Sequence, residues 1–187
     1  MMVAFHASAL DGVARNPALP TPLLLRLLAF DCGDGPPRHA LQRAGLPEQA
    51  VAVILAHPNP GARIDFAMST RAKPAQRARL VNDPSPKVRA ALAYGPEWHD
   101  PRTAVTPLPD DVCTRLLDAP DPSVRAALLD SPHLVQSFVA SLATHRDPAA
   151  RRSAARANPP GSLRRRLRHA GTARRRMVRT PASAPNT

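Results

Sequence analysis

Arginine is the residue whose type and spacing suggest chemistry first. Arg38, Arg63, Arg89, Arg125 and Arg151 each stand four residues after Asp, Asn or Ser: DGPPR at 34–38, NPGAR at 59–63, SPKVR at 85–89, DPSVR at 121–125 and DPAAR at 147–151. Guanidinium groups repeated at near-regular intervals suit phosphate oxygens or acidic side chains. The same spacing also allows a local role, in which Arg38, Arg125 and Arg151 pair with the acids Asp34, Asp121 and Asp147 four residues earlier, or lay their aliphatic stems over the core. The local role is the expectation, because surface pairs of this kind are common and individually weak.

A second group of arginines closes the sequence. All 14 acidic residues lie at or before Asp147, so the body is nearly neutral, whereas the 11 basic residues from Arg151 onward meet no acid and account for all but one charge of the net +12. Ser162 to Ala170, SLRRRLRHA, puts Leu163, Leu167 and Ala170 on one helical face, with Arg164, Arg165, Arg166 and Arg168 around the rest. That pattern reads as a terminal capping helix. Arg174, Arg175, Arg176 and Arg179 follow in a stretch expected to be disordered. Phosphate binding by such a tail would be sequence-tolerant, since aromatics for base stacking make up only 3% of the chain.

Trp98, the only tryptophan, falls beside His99, Asp100 and Arg102. A tryptophan in a loop can anchor a partner, or it can fold back over neighbouring elements. His99 and Asp100 are too few for a metal site or an acid–base pair. Cys32 and Cys113 form neither a CxxC pair nor a ligand set. Gly-rich phosphate loops, nucleophile elbows and paired carboxylates are missing from the sequence. No catalytic residue, cofactor or small-molecule substrate is therefore assigned, and the chain is expected not to be an enzyme. The start, MMVAFHASALDGVARNP, lacks the pattern of a secretory signal, and no apolar run reaches the roughly 18 residues of a membrane span, so a cytoplasmic protein is expected.

The elements that must position these residues are legible as repeats. The phrases at 59, 85, 121 and 147 are 26, 36 and 26 residues apart, and the long interval holds an insertion, EWHDPRTAVT, at 97–106. Asn59, Ser85, Asp121 and Asp147 are good N-caps, and Pro60, Pro86, Pro122 and Pro148 suit the first helical position. Helices are thus predicted to start near 60, 86, 122 and 148. The continuations VRAALA and VRAALL put Val88 with Leu92, and Val124 with Leu128, on one face. A second phrase precedes each: RLL at 26–28, VIL at 53–55, RLV at 79–81, RLL at 115–117 and SLA at 141–143, closing helices that open as in TPLLLRLLA or LPDDVCTRLL. Each unit is then a pair of short helices, and most of the 23 prolines sit at helix starts or turns.

NPxLP, RLL and DPxxVRAALA in this order resemble the leucine-rich repeat variant family, a relative of HEAT-like solenoids, over residues 14–159. The resemblance implies an all-α, right-handed superhelical solenoid of about five two-helix repeats of about 26 residues, with a basic C-terminal tail. The expected organisation is an N-terminal extension at 1–13, the array at 14–159, and the basic capping helix and tail at 160–187. The chain departs from the pattern at Gln76 and Arg77, where other repeats are apolar, and around Cys32 and Gly33, where two residues are extra. Some members hold an iron–sulfur centre on an N-terminal cysteine cluster; this chain has no such cluster, and the cofactor is not carried over. The resemblance suggests a scaffold for a macromolecular partner, protein first, with nucleic-acid binding through the repeat arginines and tail as the alternative.

Overall fold

The computed structural model describes residues 10, 12–29, 36–96 and 105–157. Among these residues every regular element is helical and no strand occurs. After a helical turn at 12–15 come α1 (Thr21–Ala29), α2 (Arg38–Leu41), α3 (Glu48–Leu55), α4 (Pro60–Ala67) and α5 (Pro74–Ala78), the last running into a 3-10 turn at Arg79–Asn82. Then follow α6 (Pro86–Tyr94), α7 (Asp110–Leu117), α8 (Pro122–Leu129), α9 (Gln136–Leu142) and α10 (Pro148–Ala157). No helix among them is long and apolar enough to cross a membrane.

Helices begin at Pro60, Pro86, Pro122 and Pro148, where the recurring phrase places them. The ring fixes φ near its helical value, and the missing N–H is one that the first turn would leave unpaired. Three of the four cap residues also behave as read: Asn59 Oδ1 accepts from Gly61 N–H, Asp121 Oδ1 from Ser123 N–H and Asp147 Oδ1 from Ala149 N–H, each at 2.8 Å. Ser85 does not cap its helix. Asp83 supplies the acceptor instead, its Oδ1 lying 2.9 Å from Ser85 N, so the turn is fixed two residues earlier. LPDDVCTRLL likewise enters its helix two residues later than its first residue, at Asp110.

The chain divides into two units, Met1–Phe138 and Val139–Thr187. In the first, helices pack both on their neighbour and on the helix after next: α1 on α3, α2 on α4, α4 on α6 and α6 on α8. The Pro-led helices α4, α6 and α8 each bury a pair of residues four apart. Ala62 and Phe66, Val88 and Leu92, and Val124 and Leu128 are all buried, each large side chain contributing about 1.5–3 kcal/mol. The alternate helices bury Leu24, Leu27 and Leu28, then Ala50, Val51 and Ile54, then Val112, Cys113, Leu116 and Leu117. In the second unit α10 repeats the i, i+4 pattern with small residues, Ala150 and Ala154. Helices of four to ten residues are too short to persist alone in water, so this lateral packing holds them.

Candidate functional site

The repeated arginines carry the most chemistry of any recurring feature, and the structure gives them a common task. Arg89 Nη1 donates to the carbonyls of Asp83 (2.5 Å) and Pro84 (3.4 Å). Arg125 Nη1 does the same to Ala119 (2.5 Å) and Pro120 (3.0 Å). Arg151 Nη1, in the second unit, reaches His145 (2.8 Å) and Arg146 (2.9 Å). Arg63 Nη1 donates to His57 and, at 3.4 Å, to Pro58. Each guanidinium thus ties the two carbonyls six and five residues before it, holding the loop that leads into its own helix.

The predicted pairing with the acid four residues back is not what forms. The carboxylates of Asp121 and Asp147 turn toward backbone N–H groups in the first turn, where the helix dipole favours negative charge. Asp121 also accepts from the Ser123 hydroxyl at 2.6 Å, and that bond, followed by the Ser123 amide, holds its carboxyl below the usual range. A helical side chain leans toward the N-terminus, so Arg125 and Arg151 pass beyond the cap and meet the loop carbonyls. Asp34, the acid expected to pair with Arg38, lies outside the described residues. Arg38 Nε instead lies 3.2 Å from Asp65 Oδ1 on α4. Arg38 is exposed, so its attraction is outweighed by burial, which pushes the Asp65 carboxyl up.

Arg63 is the member most deeply placed, 8% exposed. It makes a two-pronged ion pair across the loop before α6, with Nε at 2.7 Å from Asp83 Oδ2 and Nη2 at 3.2 Å from Oδ1. Asp83 in turn receives the Ser85 amide, so one carboxylate ties α4 to the start of α6. Arg89 and Arg125 are half-buried, and Arg38 and Arg151 exposed. Trp98 and the tail arginines Arg164, Arg165, Arg166, Arg168, Arg174, Arg175 and Arg176 lie outside the described residues.

Several residues to which the sequence assigned no role make buried or long-range hydrogen bonds. Gln76, 6% exposed, donates from Nε2 to Leu46 O (3.2 Å) and Glu48 Oε1 (2.8 Å), and its Oε1 accepts from Lys73 N–H at 3.4 Å. Arg79 reaches the other oxygen of Glu48 at 3.1 Å. Arg43 donates to the carbonyls of Ala14, Asn16 and Pro17, closing the end of the first helical turn. The signal for Gln76 was its polarity at a position where other repeats are apolar. Nothing local marks Arg43, whose acceptors are 26 to 29 residues away.

Two open grooves border these residues in the first unit. One, of about 570 Å³, runs between Arg15, His39, Arg43 and Arg71. The other, of about 500 Å³, lies between Arg89, Arg115, Asn82 and Asp118, with Arg115 donating to Asn82 Oδ1 at 2.7 Å. Among the described residues no three of His, Cys, Asp or Glu gather to hold a metal ion. Cys113 is buried, and desolvation, aided by the charges of Asp110 and Asp111, raises its thiol to about 11. It is therefore a protonated core residue at neutral pH, not a thiolate nucleophile. Comparison with protein-family models, with curated proteins and with solved structures yields no match.

Proposed function

We propose that this chain is a non-catalytic scaffold: a right-handed solenoid of about five two-helix repeats, of the leucine-rich repeat variant kind, that presents an extended surface to a protein partner in the cytoplasm. The observation that carries the reading is the shared task of Arg63, Arg89, Arg125 and Arg151, each tied by hydrogen bonds to the carbonyls of its own loop. A residue type that recurs because each unit needs it to hold a turn supports an architectural purpose for the repeat. Stacked units of this sort serve as recognition surfaces in many solenoids.

The second reading, sequence-tolerant binding of nucleic acid, rests on the 11 basic residues from Arg151 onward with no acid among them. The two readings separate in one experiment. Full-length protein, and a variant with Arg164, Arg165, Arg166, Arg168, Arg174, Arg175 and Arg176 changed to Gln, are titrated with labelled duplex and single-stranded DNA across a salt series. Weak binding that is equal for both proteins supports the protein scaffold. Tight binding that falls steeply with salt and is lost in the variant replaces it with the nucleic-acid reading.

A further inference from the structure

Arg89 repeats the task of Arg63 with one half missing. The guanidinium of Arg63 works on two edges. Its Nη1 donates to the carbonyls of His57 and Pro58 in its own loop, while Nε and Nη2 hold the Asp83 carboxylate at 2.7 and 3.2 Å. Asp83 stands six residues before Arg89, in the loop that leads into α6. The residue six before Arg125, in the loop that leads into α8, is Ala119. Because α6 packs on α8 as α4 packs on α6, the side chain that meets Arg89 in the place of Asp83 ends at Cβ. Arg89 Nη1 still ties the carbonyls of Asp83 and Pro84, and among the described residues no hydrogen bond or ion pair engages its Nε or Nη2.

The open groove of about 500 Å³ lies at that position, lined by Arg89, Ala119 and Pro120 with Arg115, Asn82 and Asp118. Arg115 Nη2 donates to Asn82 Oδ1 at 2.7 Å, which brings a second guanidinium to the same wall. The Asp121 carboxyl, held down first by the Ser123 hydroxyl and amide, is lowered further by the Arg89 charge, which puts that charge beside the loop before α8. Arg89 stands in the first turn of α6, whereas residues 97–104 continue from the other end of that helix. The Nε–H and Nη2–H of a guanidinium form a planar fork that matches the two oxygens of a carboxylate. Asp118 on the rim and Asp121 beside it disfavour a polyanion, whose neighbouring charges would meet them. A carboxylate on an otherwise neutral segment brings a single charge.

We propose that the groove between Arg89 and Ala119 is a receptor for one carboxylate side chain, an Asp or Glu of a protein partner, which takes against Arg89 the place that Asp83 takes against Arg63. The inference rests on the protein-scaffold reading for the partner and on the repeat geometry for the site. Arg89 then serves on both edges: Nη1 holds its own loop, and Nε with Nη2 selects an acidic residue.

The test follows the Arg89 Nε–H resonance of the full-length protein by nitrogen-15 NMR at constant ionic strength. The probes are two blocked alanine–serine peptides that differ only in a central Glu or Gln, and sodium acetate. The Glu peptide is expected to shift the resonance saturably and to bind about tenfold more tightly than the Gln peptide, the lower end for hydrogen bonds to a charged group. Ala119→Asp supplies the carboxylate from within the chain. It is expected to displace the resonance by itself and to abolish the response to the Glu peptide. Equal responses to the two peptides, or a Glu response that survives in Ala119→Asp, overturn the site. Acetate binding as tightly as the Glu peptide overturns the protein partner and makes a small carboxylate the ligand. Should Ala119→Asp not fold, the Glu and Gln titrations of the wild type decide. These titrations contain no DNA, so they fail separately from the scaffold reading: tight DNA binding lost with the tail arginines overturns that reading and leaves a Glu-specific response at Arg89 intact.

Discussion

Replacing Arg63 by Met should unfold the protein more readily than the equivalent change at any other repeat arginine. The substitution keeps the side-chain length and leaves Asp83, 6% exposed, as a buried carboxylate without its guanidinium. Removing one partner of such a pair costs about 3–5 kcal/mol, because the remaining charge stays desolvated. Arg125→Met provides the internal standard. Arg125 is half-buried and its acceptors are neutral carbonyls, so the loss should be about 1.5 kcal/mol, the lower end for hydrogen bonds to a charged group. The double variant Arg63→Met/Asp83→Leu should regain part of the deficit, since an apolar pair of similar volume replaces the ions without a stranded charge. Asp83→Leu also removes the acceptor for Ser85 N–H, so recovery is incomplete. Urea unfolding followed by far-UV circular dichroism reads these differences as midpoint shifts at constant slope. Equal losses for Arg63→Met and Arg125→Met, or a loss below about 1 kcal/mol for Arg63→Met, would refute the claim that the buried pair ties α4 to α6.

Further outcomes follow from the same geometry. Between pH 9, the ordinary thiol value, and about 11, the folded state holds the Cys113 proton while the unfolded state releases it; stability therefore falls as pH rises through that window, and Cys113→Val should remove this slope in urea titrations. Gly95 has φ of 84°, and an added Cβ would stand 2.9 Å from His133 Cδ2, so Gly95→Ala should destabilise by more than about 1 kcal/mol, with His133→Ala in the same chain relieving the clash but not the backbone strain. Asp121 has a depressed carboxyl, so its contribution is complete above the ordinary value of 3.8 and lost as pH falls through the lower folded value. The stability gap between wild type and Asp121→Ala should close in acid, and a gap that is constant with pH would contradict the role of Ser123 in holding the charge.

How much of this was legible beforehand depends on the range of each interaction. Helix starts at Pro60, Pro86, Pro122 and Pro148 were readable because a proline ring and the residue before it act within one turn. The core pairs Val88 with Leu92 and Val124 with Leu128 were readable from helical periodicity. The role of the repeat arginines was half readable. Local sequence offered an acid four residues away, whereas the acceptors are backbone carbonyls five and six residues away, which no side-chain identity records. The Arg63–Asp83 pair spans 20 residues and depends on α4 packing beside α6. Arg77 was visible as a break in the apolar pattern, but the break could not show that its side chain would be buried and donate to Thr106 O. Trp98 and the tail arginines were singled out by composition, and they lie outside the described residues.

The central claim is that the repeat arginines hold the fold and do not bind a partner's phosphates. The salt dependence of duplex DNA binding by Arg89→Gln/Arg125→Gln, against full-length wild type, tests it most directly. Each phosphate contact contributes about 0.9 to the slope of log affinity against log salt. The account predicts the same slope for both proteins, whatever affinity the remaining arginines confer. A slope shallower by about 1.8, with the variant still folded, would contradict it and make these two arginines phosphate ligands.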